Sequence, residues 1–503
     1  MLGEREMEIN DFEIVWIYTV DSGRWIKKRD EIKEIAEKIF NKAQIVEGLL
    51  RYCTAKELEA RAGSGRENRA FFYTKDENAK STLKLLYESD MDNIDPEYLE
   101  GLRLFRAKLT TFEIVLPGDR IEPIEVYLLF HNSGIFILEF WLKIKNMALT
   151  PDIINEIQLM PLSEDKITFK LPYKLVKDYS MVTPKIEALL KGNENENSKI
   201  SIEMTFHELV WIYWAIIAFL VTTQKVKDSQ TLHRSLRYNV FNFFPVLMFN
   251  FPEVNTPSEL IEANKAELYS MLSQEIYLKP EHIRPELIDE KINDENNIAD
   301  RTDYALFFVI ESCMLLLSQQ SQETLEYIAK KRNHKVEDQI YLDKLNIILI
   351  QEFLQMQRFL IQVYEHLLSK KSISEMETDE LALMRGVLSK GVEEFHNIQL
   401  FVKTNTIKWF EKGRDDVYDF DKSLDVLDKK LELIDSAVGT IHGNLMEFLT
   451  VLLGIVVQIG PIIALTLATE NPILAILITT GAFFLIYYSY KFLYKKWYRS
   501  RKA

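Results

Sequence analysis

Two uncharged apolar runs near one end constrain what this chain can fold into. Residues 448–468 carry no charge, and after a polar break at Thr469, Glu470 and Asn471 a second apolar run covers residues 472–490. Each is about 20 residues long, which at 1.5 Å per helical residue crosses a hydrocarbon core of roughly 30 Å. Spans joined by so short a turn are antiparallel, so both flanks face the same side of a bilayer. Lys491, Lys495, Lys496, Arg499, Arg501 and Lys502 follow the second run with no acidic residue among them. By the positive-inside rule that side is the cytoplasm. Tyr487, Tyr488, Tyr490, Tyr494, Trp497 and Tyr498 gather at the same end as an interfacial aromatic belt. The sequence therefore predicts a multi-pass protein of the inner (plasma) membrane with both termini cytoplasmic and only the turn at Glu470 and Asn471 outside.

The stretch before the first run has its own pattern. Phe420, Leu424, Leu427, Leu431, Ile434, Val438, Ile441, Leu445 and Phe448 recur at alternating intervals of four and three. That is a heptad seam, either between copies of the chain or within a helix hairpin, whereas a helix packed on its own domain drifts toward a spacing of 3.6. A helix continuous over residues 415–468 is about 80 Å long.

A stalk helix entering a first membrane helix, a short outer loop and a basic tail resemble the CorA superfamily of divalent-cation channels. That family enters its pore helix with approximately Asn-x-x-Met-Lys-x-Leu-Thr, and here the chain reads Asn444, Leu445, Met446, Glu447, Phe448, Leu449, Thr450. The Met and the Leu-Thr pair align, the Asn sits one residue closer, and Glu447 replaces the Lys. The family's Gly-Met-Asn triplet at the outer mouth is absent, with Leu467, Ala468, Thr469, Glu470 and Asn471 in its place. The resemblance covers roughly residues 415–503 and implies a homopentamer whose first membrane helix lines the pore, with a divalent cation such as Mg2+ as transported ion or regulator. In that arrangement Asn444, Met446, Thr450, Leu453, Val457 and Gly460 form the pore face and Gln458 lies beside it. Thr450 and Gln458 either coordinate a partly hydrated cation or hydrogen-bond between helices, and the Met, Leu and Val rings close the pore by dewetting. Gly460 and Pro461 mark a kink. Glu470 and Asn471 either ring the outer mouth or only make the turn. The soluble part exceeds what a plain transporter needs. In this it is similar to the CorA-like membrane effectors of type III CRISPR systems, which implies a nucleotide second messenger as partner and a role in antiviral defence.

The rest of the chain bounds these readings. At 503 residues it exceeds a single ordinary core. The formal charge is −15, and since the tail is basic the body is more acidic still, which argues against nucleic acid as a direct partner. Cys53 and Cys313 alone make no disulfide framework and no Cys-based zinc spacing. Met1 to Asn10 is charged, without the apolar core of a signal peptide.

Read for elements, residues 11–20 form a strand, 27–50 an amphipathic helix, and 111–116, 125–130 and 134–145 further strands, the last two joined by a turn at His131, Asn132, Ser133 and Gly134. Thr150 caps a helix with Pro151 in its first turn. Residues 192–198 form an exposed loop. Leu209 to Val221 is apolar but too short to span a membrane, so a buried core helix is expected. Gly63, Ser64, Gly65 and Arg66, beside Arg61 and Arg69, either cradle a phosphate or form a surface turn without the ending of a P-loop. Arg234, Arg237 and Tyr238, before Phe241, Phe243 and Phe244, either hold a phosphorylated or nucleotide ligand or lie over a core helix end. Residues 256–300 read as a domain edge. Residues 304–318, 336–368 and 374–409 read as helices, with a break at Lys412, Gly413, Arg414 and Asp415. No histidine has a spacing that demands catalysis or metal binding.

The expected fold is an α+β cytosolic domain followed by long helices, a stalk helix and a two-helix transmembrane hairpin. The expected divisions are an α+β sensor at 1–255, a helical part at 256–414, the stalk at 415–447, membrane helices at 448–468 and 472–490 around the outer loop 469–471, and the basic tail 491–503. The expected function is an oligomeric cation channel with no enzymatic activity; the alternative is a membrane-anchored interaction or scaffold protein that conducts nothing.

Overall fold

A computed structural model describes residues 9–23, 31–61, 69–94, 104–116, 118–183, 198–222, 240–274, 282–370 and 405–427, with isolated helical positions beyond. The chain divides into one compact unit of Met1–Val363 with Gly391–Ser423 and a second of Tyr364–Lys390 with Leu424–Ala503. The first unit is an α+β domain built on one large sheet, in line with the coarse expectation.

β1 (Ile9–Asp21) is rich in β-branched and aromatic residues and buried along most of its length, as a central strand must be. It pairs antiparallel with β6 (Ile135–Leu149) on one side and β9 (Asn242–Phe251) on the other. β4 (Phe105–Leu116), β5 (Arg120–Phe130) and β6 form a meander. Gly118 and Asp119 make its first turn at φ of 81° and 58°. His131, Asn132, Ser133 and Gly134 make the second, where the His131 amide donates to Ile135 at 3.0 Å. β2 (Val46–Tyr52) and β3 (Ala70–Thr74) extend the sheet past β4. A bulge at Thr110 and Thr111 then lets the far half of β4 pair with β7 (Ile167–Pro172), which pairs with β8 (Lys199–Met204). At the other end β11 (Cys313–Ser318) joins β9 in parallel and carries β10 (Tyr304–Phe308) on its outer side. The order is β10-β11-β9-β1-β6-β5-β4-β2-β3, with β7 and β8 branching from β4.

Alternation along each strand divides the sheet into two differently covered faces. Phe12, Ile14, Trp16, Tyr18 and Val20 of β1 point into an apolar core shared with α1 (Glu31–Lys42), α4 (Pro151–Leu159), α5 (Tyr173–Ser180) and α6 (Phe206–Val221). Thr150 caps α4 as expected, its hydroxyl accepting from Ile153. The apolar α6 is a core helix. Thr205 and Glu208 form a capping box at its start, Tyr213 donates to the Thr110 carbonyl at the bulge, and Trp214 donates to the Asp21 carbonyl. The opposite face is crossed by α11 (Val336–Lys370), whose Leu342, Leu345, Ile348, Leu349, Phe353 and Leu354 are buried. The remaining helices in chain order are α2 (Ala55–Ala60), α3 (Glu77–Asn93), α7 (Pro257–Ala263), α8 (Lys265–Ser273), α9 (Pro285–Lys291), α10 (Gln319–Arg332) and α12 (Asn405–Glu411).

Three local expectations change. The helix foreseen over 27–50 ends at Lys42, and its last third becomes β2. The segment 304–318 is the β10–β11 hairpin rather than a helix. Phe243 and Phe244 lie in β9, while Arg234, Arg237 and Tyr238 before them are not among the described residues. The break before the seam is a π-helical turn, Lys412–Val417, followed by Asp419 at φ 48°, and the helix restarts at Phe420 rather than Asp415. The loop expected at 192–198, apart from Ser198, lies outside the described residues, as does the turn Gly63 to Arg66. Among the described residues no helix is long and apolar enough to cross a membrane; the two apolar runs, save Leu449 and Tyr488, lie outside them.

Candidate functional site

The face under α11 is built from charged residues as much as apolar ones, because alternation on β4, β6 and β1 places Arg106, Lys108, Glu139 and Glu13 on that side. The Arg106 guanidinium donates to both Asp90 carboxylate oxygens of α3 at 2.8 and 2.9 Å and to both Glu352 oxygens of α11 at 2.5 and 2.7 Å. Tyr52 of β2 donates to Asp90 as well. Trp141 donates to Glu139 at 2.9 Å. Burial, and then the adjacent Glu352 carboxylate, push Glu139 well above the usual carboxylate range. Lys344 of α11 pairs with Glu13 of β1 at 2.9 Å. Burial raises the Glu13 carboxyl, but Lys344 and Lys143 outweigh it and the net shift is downward. This network bolts α11 to the sheet and leaves its guanidinium and ammonium groups committed to carboxylates.

Beside it the packing opens into a cavity of about 250 Å3. Its walls come from the end of α3, from β10 and β11, from α10 and α11, and from Trp409 of α12. Leu315, Leu317, Leu325 and Ile347 give it an apolar back. Polar groups stand in front. Arg301 bonds Asp303 at 3.0 Å and approaches Asp343 at 3.5 Å while its guanidinium lies 5.0 Å from the Tyr304 ring centre. Burial works against the Arg301 charge, but Asp303 and Asp343 outweigh it and strengthen protonation. Burial raises the Asp343 carboxyl, and Arg301, Gln339 and Arg332 offset only part of this. Tyr304 donates to Asp300; burial and that carboxylate push its phenol well up. Arg332 pairs with Asp92 at 3.0 Å. Gln339 donates to Asp343 at 2.9 Å, while its carbonyl oxygen has no partner among the described residues. Trp409 donates to the Ile298 carbonyl at 2.9 Å, which fixes the indole as part of the wall. An apolar back, two aromatic rings and groups of both charge signs suit a small polar organic ligand.

α12 passes from this cavity directly into the π-helical turn. Gly413 there leaves no room for a side chain, because a Cβ would collide with Leu354 of α11 and Phe308 of β10. Tyr418 lies edge-on to Phe308 and stacks on Phe420, and Gln355 donates to its hydroxyl at 2.5 Å. The chain that opens the seam is therefore clamped to the same strand and helix that line the cavity.

Arg234, Arg237 and Tyr238, the pore-face residues Asn444, Met446, Thr450, Leu453, Val457, Gln458 and Gly460, and Glu470 and Asn471 all fall outside the described residues. Of the phosphate-cradle candidates, Arg61 donates to the Ala70 carbonyl and lies over the Phe71 ring. His131 lies within the β5–β6 turn, bonded to Ser133. Among the described residues no group of three or more His, Cys, Asp or Glu side chains is placed to hold a metal ion. The cavity residues were not anticipated; the one signal for them is the density of acidic residues from Asp289 to Asp303. Compared with family models, with curated proteins and with solved structures, the chain finds no match in any of the three.

Proposed function

We propose that this chain is a CorA-like homo-oligomeric membrane channel for divalent cations, governed by its α+β cytosolic domain. The observation that carries the reading is the heptad seam from Phe420 to Phe448 running without a break into two uncharged spans with a basic, aromatic end. Two membrane helices per chain enclose no water-filled path alone, so conduction needs several copies, and the family resemblance gives five. Thr450 and Gln458 then supply oxygens to a hydrated cation, and Glu470 concentrates cations at the outer mouth. The clamp of Gly413 and Tyr418 onto β10 and α11 supports the reading, since it gives the folded domain a rigid hold on the start of the seam.

The second reading is an anchored interaction protein that conducts nothing, favoured by the missing Gly-Met-Asn triplet. The size of the soluble part supports the branch in which a nucleotide second messenger opens the channel during antiviral defence, with Arg234, Arg237 and Tyr238 as its candidate contacts. The test is the mass of the detergent-solubilised particle, followed by Mg2+ flux in liposomes with and without nucleotides. A pentamer that conducts only with nucleotide fits the gated effector, and one that conducts unprompted fits a plain transporter. A silent monomer or dimer sinks the channel and leaves the anchored protein.

A further inference from the structure

The cavity beside α11 has a lining defined by charge, size and one unmet hydrogen bond. Its lining sets Arg301, Arg332 and Lys344 against Asp92, Asp300 and Asp343, so the two signs balance. A polyanion that gains from the guanidinium groups is repelled by the carboxylates, and a polycation meets the reverse. Lys344 is committed to Glu13, and Arg301 to Asp303 and Asp343. Arg332 pairs through one nitrogen with Asp92 at 3.0 Å, is half exposed at its head, and is near enough to Asp343 to pull that carboxyl downward. Bonded to Asp343 is Gln339, 2% exposed, whose carbonyl oxygen has no partner among the described residues. A buried acceptor in that state calls for an N–H or O–H donor. At about 250 Å3 the space falls below the roughly 300 Å3 where pockets for drug-sized ligands begin.

We propose that this cavity binds a small zwitterion of the α-amino-acid class. Its ammonium is taken by the Gln339 carbonyl and Asp343, its carboxylate by Arg332, and its apolar side chain lies against Leu315, Leu317 and Ile347 beside Trp409. A free α-amino acid carries both charges on groups attached to one carbon, and a balanced lining favours that over either charge alone. The inference stands on the lining of the cavity and does not rest on the membrane reading.

The experiment is calorimetric titration of the full-length protein in detergent with L-leucine and L-phenylalanine, beside isoamylamine and 4-methylpentanoate, which keep only one of leucine's two charges. Saturable binding of at least one amino acid is expected, with each single-charge analogue about tenfold or more weaker. Arg332→Gln and Asp343→Asn should each weaken the amino acid by a similar factor. Arg332 lies at the surface, so its variant keeps the fold; an unshifted melting temperature checks this even where Asp343→Asn loses structure. No saturable binding by either amino acid overturns the proposal. So does equal binding of an analogue, unchanged affinity in Arg332→Gln, or tighter binding of ATP that Arg332→Gln abolishes. All of these are read without any cation flux.

Discussion

Arg106 is held by two acids from two helices, and those acids depend on it in turn. Burial raises Asp90, and the Arg106 charge offsets part of that cost. Replacing Arg106 with Met leaves Asp90, Glu352 and Glu139 crowded without a cation. The expected loss is about 3–5 kcal/mol, seen in denaturant unfolding. Asp178 of α5 offers a pH-dependent counterpart. Burial pushes its carboxyl up to about 6, although it accepts the Ile45 amide at 2.8 Å. The folded chain thus keeps this proton to higher pH than the unfolded chain, whose aspartates titrate near 3.9. The contribution is fully present below that ordinary value and is lost as pH rises through about 6, on the order of 2–3 kcal/mol in all. Asp178→Asn removes the titration, so its stability relative to wild type should climb between pH 4 and pH 7. A flat difference across that range would sink the assignment. Neither residue stood out in the sequence: Arg106 is one of many surface-like letters in a strand, and only the fold brings Asp90 and Glu352 to it across long stretches of chain.

Elements with a clean local signal were legible. β1, the His131 to Gly134 turn, the Thr150 cap and the core helix α6 follow from alternation, turn chemistry and capping, each written within a dozen residues. The β10–β11 hairpin was not, because two apolar runs of seven and five residues separated by Glu311 and Ser312 have no period that tells strand from helix. α1 shows the opposite failure. Ile32, Ile35, Ala36 and Ile39 do make a helical stripe, but apolar residues continue into β2 and hide the stop. The cavity escaped notice for a related reason, since it joins the ends of α3, β10, α10, α11 and α12, which no local pattern connects. The π-helical turn is the element whose sequence matters most letter by letter. Gly413→Ala must displace Leu354 and Phe308, at a cost of about 1–3 kcal/mol by thermal unfolding, because both neighbours are themselves buried.

At the scale of the whole molecule, the first compact unit ends at Ser423 and the apolar runs follow. If those runs are what require a bilayer, a chain ended after Ser423 should stay monodisperse without detergent and melt cooperatively, whereas the full chain should need detergent. Precipitation of the shortened chain under the same conditions would show that another surface drives association. The order of strands carries a further consequence, for synthesis. β1 sits between β6 and β9, and β9 is flanked by β11, so the first strand made has to wait for the partners that follow it. Until residue 251 has left the ribosome, β1 presents one unpaired edge, and until residue 318 so does β9. Residues 448–490 emerge only after every described strand has its neighbour. During that period a nascent chain of this kind first requires a holdase for its open strand edges, and its long apolar runs appear only behind a finished sheet.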